Sequence, residues 1–149
     1  MKKVIIMRGC SGSGKSTWAK KFKEEQDLEV VIVSADNYWF DAEGNYNFNP
    51  ARLGEAHAYC YKTFVENLEQ RVPIVIVDNT NTTLAEIAPY LTHAQYHGYK
   101  VEIVRCTCPY ETAAQRNVHG VPAKTVESMY KRMQNLPRHW PKEEVIVTG

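Results

Sequence analysis

The chain has 149 residues, 44% of them hydrophobic, and a formal net charge of +1. That is one domain's length, enough to bury ~70% of the unfolded surface, with no global basic field to advertise a nucleic-acid partner. No apolar run approaches membrane-spanning length, and the short stretch between Met1-Lys2-Lys3 and Arg8 is too brief for a secretory signal; a cytoplasmic protein with no membrane partner is expected.

Val4-Ile5-Ile6-Met7 reads as a short buried strand. Directly after it, Gly9-Cys10-Ser11-Gly12-Ser13-Gly14-Lys15-Ser16 fits the G-x-x-x-x-G-K-[ST] pattern of a phosphate-binding loop. A triphosphate presents several negative oxygens, and a glycine-rich loop can bend so that successive backbone N–H groups meet them. Gly12 and Gly14 supply backbone angles that a Cβ would forbid. Lys15 is expected to reach the β/γ-phosphates and to stand exposed in the empty cleft, Ser16 to hold Mg²⁺, and Thr17 to follow in the helix that starts here. That helix adds its positive N-terminal end, and Trp18 and Phe22 fall on one of its faces. The motif in this context makes the chain a nucleotide-binding protein.

Leu28 to Val33 is a second apolar run, ending at Ser34-Ala35-Asp36, and residues 37 to 50 form an aromatic-rich loop. From Pro50 to Arg71, Leu53, Ala56, Cys60, Phe64 and Leu68 recur at helical spacing. Ile74 to Asp78 is the third strand, followed by the polar turn Asn79-Thr80-Asn81-Thr82. Thr83 with Glu86 has the form of a capping box, but Pro89 is unsuited to a helix interior. A short turn is therefore expected, with a helix restarting near Pro89 and ending at Gly98. Lys100 to Arg105 reads as a fourth strand, 110–119 and 122–134 as two helices around Gly120, and Val145-Ile146-Val147 as a fifth strand. Strands alternating with helices imply an α/β fold of the P-loop kinase type. Its parallel sheet of four to five strands is covered on both faces and carries a helical lid. The expected organisation is a single kinase domain over 1–149, with the lid at about residues 110–123.

Ligands in such folds gather beyond the C-terminal ends of the strands. Asp78 follows four apolar β-formers, as a Mg²⁺-holding Walker-B acid does, or else caps the next turn. Asp36 ends the neighbouring strand, where a carboxylate can accept a proton from an attacking hydroxyl or cap a turn. Arg116 lies late in the chain, where a lid brings a cation onto phosphates, or where a helix simply shows an arginine to solvent. Trp39, Phe40 and Tyr46 offer rings for stacking on a base, or pack the loop. The five histidines show no metal spacing, and Cys106-x-Cys108 is tighter than a zinc knuckle, so free thiols are expected. No Asn-Lys-x-Asp guanine box occurs, which favours adenine.

Taken together, several motifs carry a family resemblance. The N-terminal strand with Gly9 to Ala19, and the later Met129-Tyr130-Lys131, closely resemble the kinase domain of the phage 5′-polynucleotide kinase. The middle resembles the polynucleotide-kinase-like domains of ubiquitin-ligase-binding proteins in animals. The matching residues there are Asp36-Asn37-Tyr38, Tyr46-Asn47-Phe48-Asn49-Pro50, Glu55-Ala56-His57, Asp78-Asn79-Thr80-Asn81 and Arg116-Asn117-Val118-His119-Gly120-Val121. The resemblance covers about residues 1 to 135. It implies transfer of the γ-phosphate of ATP, with Mg²⁺, to a polynucleotide 5′-hydroxyl. Asp36 would be the base, Lys15 and Arg116 the phosphate contacts, and Trp39, Asn79, Thr80 and Asn81 substrate contacts. The chain departs from the phage enzyme in three ways. Trp39 stands where that enzyme has a substrate-binding arginine, the lid is shorter and less basic, and the Asp-x-Asp-Gly-Thr motif of its phosphatase domain is missing. The first two departures open the alternative of a small metabolite or nucleoside acceptor; a nucleotide-binding interaction module with little turnover is the further alternative.

Overall fold

The computed structural model describes residues 2–116 and 121–148. Strands β1 (Lys3–Arg8), β2 (Val30–Val33), β3 (Ile74–Asp78), β4 (Lys100–Thr107) and β5 (Glu143–Val147) form one parallel sheet in the order β2-β3-β1-β4-β5. β1 lies at its centre, with Ile5 opposite Ile76 on one side and Glu102 on the other. Alternation along β1 divides the core. Val4 and Ile6 join the layer under helices α2 (Leu53–Glu69) and α3 (Leu84–Tyr96), while Ile5 and Met7 face α1 (Lys15–Glu25). Such two-sided burial is why the strands read as continuous apolar runs.

α2 seats Ala56, Cys60, Phe64 and Leu68, all buried, at the expected spacing, whereas Leu53 at its first turn is exposed. On α1, Trp18 and Phe22 stack at 5.3 Å against the sheet. α4 (Tyr110–Arg116) and α5 (Ala123–Arg132) close over the loop after β1, through a small cluster of Cys10, Cys108, Ala113 and Val126. The expected lid includes 117–120, which lie outside the described residues.

One element differs from expectation. α3 starts at Leu84, with a complete capping box in which Thr83 Oγ1 accepts the Glu86 N–H and the Glu86 carboxylate accepts the Thr83 N–H. Pro89 sits inside the helix. The cap satisfies the orphan donors of the first turn. Pro89 removes only the bond to the Ala85 carbonyl, on an exposed residue where solvent replaces it.

The chain leaves β1 for α1 on one face of the sheet and leaves β3 for α3 on the other. β1 and β3 are neighbours, so a crevice opens between their C-terminal ends. The phosphate-binding loop stands on one bank and Asp78 on the other.

Candidate active site

From Arg8 the chain turns through 9–14 into α1. A side chain at Gly9 (φ +149°) would lie 2.5 Å from Ser13 Oγ and 2.6 Å from the Cys106 carbonyl. At Gly12 (φ +81°) a Cβ would run into the Ala113 carbonyl of α4. The loop is therefore clamped between β4 and α4, and only glycine fits either contact. Burial raises the Cys10 thiol above its ordinary 9.0, and pushes Cys106 beside it up to about 11, so both stay protonated near neutrality. None of the four cysteines forms a disulfide.

Ser16, exposed at the first turn of α1, donates from Oγ to Asp78 Oδ2 at 2.7 Å. A hydroxyl and a carboxylate oxygen this close form a hard oxygen pair of the type Mg²⁺ takes alongside phosphate oxygens and water. The residues present thus fit the ion.

Asp36 lies in a 3₁₀ turn (Ala35–Trp39) at the end of β2, its side chain exposed. Ser34 Oγ accepts its N–H at 3.2 Å, and Asn79 Oδ1 accepts the Ala35 N–H at 2.9 Å. The turn is thus pinned to the residue after Asp78, which fixes the two carboxylates on adjacent strand ends. Tyr46 lies close by, its hydroxyl raised above 10.0 by burial and then by the Asp36 charge. Beyond it, Asp41 accepts N–H bonds from Glu43 and Asn45, bracing a hairpin in which Phe40 and Tyr46 pair.

Arg116 ends α4, exposed, and donates from Nη1 to Thr148 Oγ1 at 3.1 Å. Thr148 in turn donates to the Ser13 carbonyl at 2.7 Å. One hydroxyl therefore hangs the arginine directly above the phosphate-binding loop.

A family model described as an AAA domain matches residues 4–136. The chain belongs to that AAA-domain family. Human NEDD4-binding protein 2 is 33% identical over 141 residues, covering 90% of this chain and 8% of that protein. A chain of the Pnkp1/Rnl/Hen1 RNA repair complex superposes with a TM-score of 0.70 at 21% identity, covering 89% of this chain and 44% of that one. The Mycobacterium tuberculosis APS kinase CysC, solved with AMPPNP and APS, gives 0.63 at 17% identity, covering 98% and 88%. This AAA domain therefore has the P-loop kinase fold, as the motifs anticipated, and spans less than a tenth of the length of its human relative.

Within the AAA domain, the structure brings Gly9 to Thr17, Asp78, Asp36 and Arg116 to one end of the sheet. It corrects four side-chain readings. Lys15 is not exposed: only 9% of it is accessible, and Nζ folds back to the Cys10 carbonyl at 3.4 Å. The ammonium takes the loop's own oxygen. Trp39 is 4% exposed and packs edge-on to Tyr38 and Phe48, so its ring is core and offers no face to a base. Phe40, by contrast, is 46% exposed. Asn79 and Asn81 are buried and hold backbone: Asn79 the Ala35 turn, Asn81 the Met7 carbonyl from Nδ2 at 2.7 Å. Asn81 adopts φ +46°, a conformation that asparagine tolerates better than most residues. Thr80 serves through its carbonyl, which accepts the Gly9 N–H.

Two residues escaped the sequence reading. Arg8, 1% exposed, bonds the Asn81, Thr82 and Gln134 carbonyls and Glu143 Oε2 at 2.6 Å. Glu143 also lies 3.1 Å from Arg105. A charged residue directly after a wholly apolar strand was the available signal, since such a charge needs buried partners. Thr148 carried no sequence signal at all.

Proposed function

We propose that the chain transfers the γ-phosphate of ATP to the 5′-hydroxyl of a polynucleotide. The observation that carries this reading is the pairing of Ser16 with Asp78 at 2.7 Å, with Asp36 pinned on the neighbouring strand end. Lys15 moves onto the β/γ-phosphates; its 3.4 Å bond to the Cys10 carbonyl is longer than a good N–H···O bond and is readily exchanged. Ser16 and Asp78 would hold Mg²⁺, which when bound would neutralise charge on the phosphate oxygens. Asp36 orients the acceptor hydroxyl and takes its proton late in a loose transition state. Arg116 releases Thr148 and meets the charge that develops on the transferred group. The motifs shared with polynucleotide kinases, and the fold shared with a chain of an RNA repair complex, support the acceptor.

A second reading, a kinase of a small hydroxylated metabolite, is favoured by the net charge of +1 and by the nearly full-length superposition on an APS kinase. Labelling with γ-³²P-ATP separates the two. RNA and DNA oligonucleotides bearing a 5′-hydroxyl are offered beside pools of sugars, nucleosides and other alcohols. Label on an oligonucleotide is expected. Label on a small alcohol alone overturns the polynucleotide acceptor, and label on neither overturns the kinase reading in favour of a nucleotide-binding module.

A further inference from the structure

Between the first turns of α2 and α3 lies a cleft of about 520 Å³, lined by His57, Ala58, Tyr61, Asn79, Glu86 and Tyr90 among others. That volume falls within the roughly 300–1,000 Å³ of small-ligand pockets. The wall of the cleft includes Asn79, the residue directly after Asp78. Tyr90 reaches Cys60 and Asn79, and Asn79 holds the Ala35 N–H one residue before Asp36. A group held in the cleft is therefore joined through one side chain to the turn that carries the proposed base.

The lining states which chemistry it suits. Among the described residues no lysine or arginine lines it, and the one formal charge there is the Glu86 carboxylate, already engaged by the Thr82 and Thr83 hydroxyls. A phosphate would meet a negative charge and no cation. Tyr61, half-buried, lines the cleft with its hydroxyl anchored to His93 Nδ1 at 2.5 Å, and Tyr90, only 6% exposed, backs it edge to face at 5.3 Å. Neutral, aromatic and edged with an imidazole, this wall suits a flat uncharged ring.

We infer that the cleft takes the first nucleobase of the acceptor strand, so that base burial, not phosphate clamping, sets the 5′-hydroxyl before Asp36. The inference rests on the polynucleotide reading above. It also accounts for a kinase acting on a polyanion with so little net positive charge.

The test uses oligonucleotides whose first residue is a tetrahydrofuran abasic unit, which keeps the 5′-hydroxyl and lacks only the base. Removing the base should lower kcat/KM by about tenfold or more, mostly through KM, as loss of one stacked base does elsewhere. Ala58→Trp and Ala85→Trp fill the cleft from two exposed helix positions. Each should erase the difference between intact and abasic strands while leaving binding of a fluorescent ATP analogue unchanged. Equal kcat/KM for intact and abasic strands, measured on the unaltered chain, overturns the inference and leaves the polynucleotide reading standing. Failure to label any oligonucleotide overturns both.

Discussion

The two banks of the crevice are built on different principles. On the nucleotide bank, the loop from Gly9 to Ser16 is shaped by local rules: glycines at positive φ, then a helix start. On the proposed acceptor bank, the polar residues after β3 are spent on holding backbone. Asn79 ties down the turn of Asp36, Asn81 secures β1, and Trp39 is buried beneath the turn it belongs to. A site that grips phosphate needs many backbone donors close together and shows them in sequence. A site that positions one hydroxyl needs a single carboxylate on a stiff support, and the support outnumbers the functional group.

Substitutions on the two banks should therefore fail differently. The largest effect belongs to Lys15→Ala, which should take transfer below detection in a labelled-ATP assay. Because Lys15 is largely buried, circular dichroism must show the variant folded; transfer at the parental rate by a folded variant removes the phosphate-loop role. Next, Asp36→Asn keeps shape and hydrogen bonding but loses basicity, and kcat should fall roughly 10²–10⁴-fold with ATP affinity unchanged. Full activity would reduce Asp36 to a cap of its 3₁₀ turn.

Trp39 breaks the other way. Trp39→Ala should lose about 3–5 kcal/mol of unfolding free energy in a urea titration, as large buried rings do. Trp39→Phe should leave KM for the acceptor within about threefold, where a residue stacked on substrate would raise it further. Arg116→Ala should lower kcat by about 10²-fold with a smaller change in ATP affinity, in line with other cations that clamp phosphoryl groups. A rate within about threefold of the parent would make Arg116 a surface residue. The smallest effect is on pH. Cys106 binds its proton more tightly in the fold, with a pKa of about 11 against an ordinary 9.0. The native state therefore holds the extra proton between those values, and stability should decline as pH rises from 9.0 to 11. Cys106→Ala should flatten that decline in melting curves.

β1, β2 and β3 were legible because burial between two helical layers writes them as apolar runs, and the phosphate loop because its glycine, lysine and serine spacing is itself the motif. Reading was hardest where a residue's fate is decided far away in sequence. Arg8 meets Glu143 across 135 positions, and Thr148 meets Ser13 across another 135. Trp39 looked like a loop aromatic until Phe48 and α2 closed over it. The α3 start departs from expectation for a local reason: the capping box satisfies more donors than Pro89 removes.

Thr148 has a practical side. A Cβ added at Gly14 would lie only 3.0 Å from its methyl group, so the end of β5 rests on the nucleotide loop. Lys3 begins β1, the central strand, at the opposite end of the parallel strands. A dye or other bulky group attached at Thr148 would sit against the nucleotide loop, whereas one attached at Lys3 would sit at the far end of the strands. Reagents for nucleotide binding are best attached at the front.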